Sequence, residues 1–365
     1  MYLKESALTY SISGQHEQMH SHAINNPLVQ RNGEELLLSQ FVEINSPTTE
    51  VINASTVMDI KALNGKRIHS IVNLKRINGI TDVNAFFTIV NKKLPYNGMF
   101  IGCVETLEQR KVRILNKCSR VISYPYYIFD FINKRIFPKW KFTRKIADLI
   151  TYRKNHAMSI TETLGRLRIC GFKIVEYEEV GKLTYFVVRK IARPVISADP
   201  KYGIIIRLRR VGKGGKLFNV YKLRTMHPYA EFLQNYLYSV NHLENGDKIC
   251  NDFRITSWGR ILRKLWLDEL PMWINWFKGD VKLIGVRPLS NQKLSLYPPE
   301  FKKRRFNYTP GLIPPFYVDL PESLEELIDS EKKYFDSYDK NPILTDLRYF
   351  FLAMYNIIIK RARSS

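Results

Sequence analysis

The chain is poor in acids and in cysteine, and it has no long apolar run. Its 365 residues include 57 lysines and arginines against 34 aspartates and glutamates, an excess of 23 positive charges. That excess suits nucleic acid, anionic lipid or phosphorylated substrates and does not choose among them. The charge is dispersed, with no recognition helix, zinc-finger spacing or RNA-binding aromatic signature, so nucleic acid is not the expected partner. The four cysteines, Cys103, Cys118, Cys170 and Cys250, show no paired spacing. They exclude a disulfide framework and read as buried or free thiols of a reducing compartment. No stretch of about 18 uninterrupted apolar residues occurs, so no conventional transmembrane helix is expected. The polar N-terminus lacks the apolar core of a signal peptide. No glycine-rich phosphate loop of the GxxxxGK[ST] type is present either; VGKGGK (211–216) comes nearest and reads better as a hairpin turn with Gly214 and Gly215 at its tip.

What is present is a foldable composition: 45% apolar and 13% aromatic residues, enough for a packed core, in a length that suits two domains. Residues 1–50 are mostly polar. His16, His20 and His22 would share a face if that segment were helical, but a solvated tail is the expectation. From Val51 to Lys190 strands and helices alternate. Ile68–Leu74 and Met99–Val104 are strand-like runs. Val83, Phe86, Phe87, Val90 and Leu94 recur at helical spacing behind Thr81 and Asp82. Ser159 and Glu162 form a capping box ahead of a helix ended by Gly171, and Phe172–Val175 and Leu183–Val188 close the sheet through Gly181. This predicts an α/β layered, degenerate Rossmann-like domain carrying part of a doubly wound sheet. Asn73 and Glu105 follow strands, where substrate groups or simple caps belong. Residues 105–158 mix aromatic and basic residues, a pattern that suits a membrane interface or a helical lid on the sheet. Residues 191–201, with two prolines, read as a linker. Beyond it, Ile204–Arg210 and Leu217–Leu223 are strands of a small hairpin, and the rest of 202–365 is mainly helical, an α+β pattern. Leu344–Ile359 is a largely apolar helix that is either core or an interfacial foot on anionic lipid.

The densest chemistry lies between Asn251 and Pro288. There Asp268 and Glu269 adjoin between a basic helical run and Pro271. Proline belongs in the first turn of a helix, so the acids fall at or just before a helix N-terminus that ends near Gly279. Unpaired N–H groups at such a position favour the ionised carboxylate. Arg254, Arg260, Arg263, Lys264 and Arg287 surround the pair, more cation than two acids need. Either the acids only cap a helix, with Arg263 and Lys264 a solvated face, or they work on a phosphate.

Three ordered motifs decide the resemblance: FNVYKLRTM (218–226), FRITSWGRILRKLWLDELPMWINWFKGDVKLIGVRP (253–288) and YTPGL (308–312). Together they resemble the bacterial sugar transferases, polyprenyl-phosphate sugar-1-phosphate transferases of exopolysaccharide, capsule and O-antigen synthesis, over about residues 198–365. The resemblance implies transfer of a sugar phosphate from a UDP-sugar to polyprenyl phosphate with release of UMP, requiring Mg²⁺. It implies Asp268 as the nucleophile and Glu269, with Asp268, as the Mg²⁺ site. Lys222, Arg224, Arg254 and Arg287 would bind the diphosphate and the nucleotide. Since no long apolar run is present, the expected place is peripheral, on the cytoplasmic face of the bacterial inner membrane, with Trp273, Trp276, Phe277 and the 344–361 helix on an anionic lipid surface and polysaccharide-assembly proteins as partners. The chain departs from the pattern in four places. The family's long apolar segment before its first strand is replaced by LTYFVVRKIARPVIS, broken by Arg189, Lys190 and Arg193. Val286 stands for the first proline of Pro-Arg-Pro, Lys282 stands where serine is common, and the turn reads PGLIPP. A second, weaker resemblance links roughly residues 55–190 to the C-terminal half of a class I methyltransferase. A non-catalytic scaffold and a methyltransferase therefore stay open as alternatives.

Overall fold

The computed structural model describes residues 27–63, 68–117, 119–136, 155–195, 203–240, 243–244, 248–249 and 252–360. The chain divides into two compact units, Met1–Tyr202 with Pro228–Leu233, and Gly203–His227 with Gln234–Ser365.

The first unit is built on a five-stranded mixed sheet of order β1-β2-β3-β5-β4, an α/β arrangement. The strands are β1 (Thr49–Ile52), β2 (Ser70–Asn73), β3 (Met99–Val104), β4 (Phe172–Val180) and β5 (Leu183–Lys190). β1, β2 and β3 run parallel, and β5 is antiparallel to both β3 and β4. Every residue of β2 and β3 is buried, as continuous apolar runs covered on both faces require. Helix α2 (Val83–Lys93) begins where the spacing predicts, with the Asp82 side chain accepting from the Ala85 N–H at 2.9 Å. Its Phe86 and Phe87 join Phe100, Phe172 and Phe186 in an aromatic core with ring centroids 5.7–6.4 Å apart. Helix α3 spans Leu107–Leu115, α4 spans Arg120–Phe131 and α5 spans Ile160–Ile169. Tyr229, from the short second segment of this unit, lies under the Arg166 guanidinium and accepts from the Asn84 amide on its hydroxyl.

Two expectations change. The polar reading of residues 1–50 stops short, because helix α1 (Pro27–Phe41) buries Leu37 and Leu38 and β1 forms the sheet edge. Three consecutive leucines show no helical period, so the sequence hides that face; the three N-terminal histidines lie outside the described residues. The capping box at α5 is half made. Ser159 accepts from the Glu162 N–H, but the Glu162 carboxylate pairs with Arg135 and Arg166. The closing strand Leu183–Val188 is found as expected: LTYFVVRK is strand β5, paired on both edges. Among the described residues no helix is long and apolar enough to cross a membrane.

The polar residues after the strands are absorbed by the fold. Asn73 accepts from the Ala54 N–H and donates to the Ala54 and Lys75 carbonyls. Glu105 is buried among Arg76, Arg110 and Arg113, and its backbone is bracketed by the Asn78 amide. These contacts fit caps rather than a substrate pocket.

Glu105 therefore sets a test. Glu105→Ala leaves Arg110 buried with one carboxylate fewer, and removing one partner of a buried pair costs roughly 3–5 kcal/mol. Denaturant unfolding of the variant should lose stability on that order.

The second unit holds the hairpin of β6 (Ile205–Val211) and β7 (Leu217–Leu223), paired antiparallel across Gly214 and Gly215, both at positive φ. Helix α6 (Gln234–Val240) and a small ladder of β8 (Leu243–Glu244) with β9 (Lys248–Ile249) follow. Then come α7 (Ser257–Lys264), α8 (Trp273–Phe277), β10 (Lys282–Ile284), α9 (Pro299–Arg305) and β11 (Gly311–Ile313), which pairs parallel with β10. The long helices α10 (Leu324–Lys340) and α11 (Pro342–Ile358) complete it, packing Tyr334, Phe335 and Tyr349 into a core with Ile284, Val286 and Tyr297.

Candidate active site

The site is assembled by backbone contacts that the sequence motifs make possible. Thr256 caps α7, its hydroxyl accepting from the Gly259 N–H at 2.9 Å. The Thr225 carbonyl, just past β7, accepts from both the N–H and the hydroxyl of Thr256. That carbonyl lies so near α7 that a Cβ on Gly259 would stand 2.1 Å from it, so only glycine fits. After α7 the chain reverses at Trp266 (φ 61°), whose ring lies 4.7 Å from that of Tyr317. Leu267–Met272 then forms a 3₁₀ turn with Asp268 and Glu269 in its first turn, feeding α8, and Gly279 (φ 75°) follows. The acids thus lie at the start of a helical segment, as Pro271 predicts, but that segment is a tight turn and a short helix in series.

Asn275 locks this segment to the hairpin. Its buried amide donates to the Asn219 carbonyl at 2.7 Å and to Asp280 at 3.0 Å, while its oxygen accepts from the Tyr221 N–H at 3.0 Å. One side chain thereby occupies the β7 edge as a third strand would. The outcome is that Lys222 meets Glu269, Nζ to Oε1, at 2.5 Å.

The electrostatics are unbalanced toward positive charge. Half-burial pushes the Asp268 carboxyl above its usual range; Lys222 opposes this, Glu269 adds to it and Arg263 opposes it. The expectation that backbone N–H groups hold Asp268 ionised is therefore outweighed by desolvation. Arg263 is no solvated face. Its Nε donates to the Thr225 hydroxyl at 2.9 Å, and burial depresses it while Asp268 and Asp252 favour its charge and Arg254 and Arg287 oppose it. Arg210 is depressed likewise by burial and by Arg287.

Of the residues expected from sequence, Lys222, Asp268 and Glu269 come together. Arg254 is buried and does not bridge to the acid pair; it grips Asp252 through Nε and Nη2 at 2.8 and 2.7 Å and reaches Gln234 at 2.6 Å. Arg224 donates to the Gly203 carbonyl at 3.0 Å. Arg287 lies 5.9 Å from the Phe316 ring centroid, and its carbonyl accepts from Arg305. Sequence reasoning passed over Arg210, Thr225, Asp252 and Asn275. The first follows two basic strand residues and the others lack any charge pattern, so only Arg210 carried a legible signal.

Two departures from the family pattern serve packing. Lys282 pairs with Asp346 of α11 at 2.9 Å and stands 3.7 Å over the Tyr338 ring. Val286 is fully enclosed in the core. The glycine of YTPGL is needed, because a Cβ on Gly311 would sit 2.1 Å from the Gly285 nitrogen.

Two measurements check this geometry. Lys222→Met removes the leading charge that favours ionised Asp268, so its carboxyl should titrate still higher in a carbon-detected NMR titration; an unchanged midpoint would separate the two groups. Asn275→Leu strands the Tyr221 N–H and the Asn219 carbonyl, at about 1–3 kcal/mol per group, and should lower the unfolding midpoint accordingly.

Residues 180–360 match the family model described as bacterial sugar transferase. The chain is 28% identical over 184 residues to the galactosyl transferase CpsE of Streptococcus agalactiae, a match covering 49% of this chain and 40% of that protein. It is 43% identical over 94 residues to the undecaprenyl-phosphate galactose phosphotransferase of Salmonella typhimurium, covering 24% and 20%. It is also 36% identical over 125 residues to the UDP-glucose:undecaprenyl-phosphate glucose-1-phosphate transferase of Caulobacter vibrioides, covering 33% and 43%. The matches thus span less than half the length of these relatives. Through the half that carries the Asp268–Glu269 turn, the chain belongs to the bacterial sugar transferase family.

Proposed function

We propose that the second unit transfers a sugar 1-phosphate from a UDP-sugar to a polyprenyl phosphate, releasing UMP. The observation that carries this is the half-buried Asp268 beside the Lys222–Glu269 pair, within a stretch whose relatives are named for that reaction class. Phosphoryl transfer asks mainly for in-line positioning and neutralised oxygens. An Asp268 carboxylate oxygen attacks the β-phosphorus, the bond from that phosphorus to the bridging oxygen breaks, and UMP leaves with the electron pair. A phosphate oxygen of the polyprenyl acceptor then attacks the same phosphorus and frees the carboxylate, giving ping-pong kinetics. Lys222 holds Glu269 in place and favours the ionised nucleophile. On this reading Arg263 and Arg287 neutralise diphosphate charge, and Arg254, clamped on Asp252, shapes the wall behind them.

Among the described residues no group of three acidic, histidine or cysteine side chains could hold a metal alone. The adjacent pair fits Mg²⁺ all the same, since this ion takes one or two carboxylates and fills its remaining positions with substrate phosphates. Asp268 and Glu269 would hold it, and when bound it neutralises the transferring phosphates.

The unit's place is peripheral, on the cytoplasmic face of the inner membrane. Trp273, Ile274, Trp276 and Phe277 are exposed around the acid turn, and Leu344, Leu347, Phe351, Tyr355 and Ile358 form an exposed stripe on α11, as an interfacial helix requires.

UMP release from a panel of UDP-sugars, with polyprenyl phosphate, Mg²⁺ and membranes, tests the reading. Asp268→Asn should lower it by about a thousandfold or more, the scale of losing a nucleophile; equal release from the variant would refute the role. The ionised carboxylate is the active form and burial raises its pKa. Activity should therefore fall off, as pH drops, at a higher pH than an ordinary aspartate would give.

A further inference from the structure

The β6–β7 hairpin is one-sided in charge: from Gly203 to Met226 the chain carries seven lysines and arginines and no acid. Side chains alternate along a strand, so Ile205, Arg207 and Arg209 share one face of β6, and all three are exposed. Across the ladder they pair with Leu223, Tyr221 and Asn219. Arg207 stands 5.8 Å and the Lys278 ammonium 5.0 Å from the Tyr221 ring centroid, and Lys278 donates to the Tyr221 hydroxyl at 3.2 Å. One tyrosine thus gathers two cations. Among the described residues the hairpin makes one ion pair, Lys222 with Glu269, while Arg207, Arg209 and Lys278 are in none. The face is therefore an exposed positive surface whose charge nothing in the second unit neutralises.

The neighbours of this face select its occupant. Lys278 directly follows α8, whose Trp276 and Phe277 are exposed, Phe277 at 78%, with ring centroids 5.0 Å apart. Ile205 and Leu217 are exposed at the two ends of the hairpin, on the same face as Tyr221. A cationic centre bordered by exposed aromatic and aliphatic side chains is the pattern of an interfacial surface, where apolar groups enter the headgroup boundary and cations meet lipid phosphates. An acidic protein or a nucleic acid would engage the cations and leave those apolar groups in water, and a second copy would bring the same positive charge.

We infer that the Arg207–Arg209 face of the hairpin, with Lys278, is a headgroup-binding surface that makes the second unit's docking selective for anionic lipid. The inference rests on the peripheral placement proposed above and adds to it the residues that recognise lipid charge. Trp276 and Phe277 supply a partition that any bilayer satisfies, and the cations contribute only where the lipid is anionic. Lys222, which meets Glu269, lies on the opposite face of β7 from Tyr221, so Arg207 and Arg209 stand apart from the acid turn.

Co-sedimentation of the full chain with phosphatidylcholine vesicles, with and without phosphatidylglycerol, tests the inference. Wild type should partition about tenfold or more in favour of the phosphatidylglycerol vesicles, and added salt should erase that excess. Arg207→Gln/Arg209→Gln should remove most of the excess, about tenfold for two surface cations, and leave binding to pure phosphatidylcholine unchanged. Lys173→Gln/Lys182→Gln, which takes the same charge from exposed positions of the first unit, should keep wild-type partition. Both variants should keep the wild-type thermal midpoint and solution mass, because every changed side chain is exposed. Trp276→Ser/Phe277→Ser tests the peripheral placement itself and should weaken binding to both compositions. Wild-type binding to neither vesicle would refute that placement and the inference together. Binding that the aromatic variant weakens and the arginine variant leaves intact would overturn the inference alone. So would an equal loss in the first-unit variant, or a changed solution mass in the arginine variant in place of lost lipid binding.

Discussion

The site of the second unit depends on how the outer edge of β7 is satisfied. A two-stranded hairpin leaves the outer row of N–H and C=O groups on each strand without strand partners, and each such group costs about 1–3 kcal/mol if buried unmet. Asn275 supplies the partners from a helix, its amide acting as a single peptide unit of a third strand. This fixes α8 against the hairpin, and with it the turn that precedes α8. Holding the Tyr221 backbone also fixes the next residue, Lys222, which is why the lysine meets Glu269. Glycine at 259 makes the matching contact on the other side, where the Thr225 carbonyl crosses α7.

Among the described residues Lys222 pairs with Glu269 and Arg254 with Asp252, while Arg210 and Arg263 are both depressed by burial and by neighbouring arginines. Gathering partly desolvated cations is unfavourable, at about 4 kcal/mol for a like pair 4 Å apart near a surface, unless an anion completes the set. On the proposed reading a diphosphate does so.

The sequence made the regular parts legible wherever periodicity and punctuation agreed. The β6–β7 hairpin followed from two strand-like runs around a double glycine, and α2 from apolar residues at helical spacing behind Asp82. Burial without periodicity was not legible, as at Leu37 and Leu38 of α1. In the site, the acids and Lys222 were readable because each carries charge in a recognised motif. Asn275 was not, since a lone amide inside MWINWF gives no hint that it will stand in for a strand. Arg254 was read as a ligand of phosphate, yet its geometry is set by Asp252 two residues away. The charge pattern alone cannot tell a clamp from a binding residue, because both need the same cation.

The fate of LTYFVVRK connects fold to location. A segment paired on both edges within a sheet, with the Lys190 ammonium capping the Asn91 and Leu94 carbonyls at 2.7 and 2.6 Å, has its backbone groups committed and cannot also enter a bilayer as a helix. Among the described residues, helices α4 in the first unit and α8 and α11 in the second turn apolar side chains outward. Attachment through such faces is additive in buried area and in charge, and it weakens with salt. On the proposed peripheral reading, apolar surface spread over short helices meets the bilayer without placing any unpaired backbone in hydrocarbon.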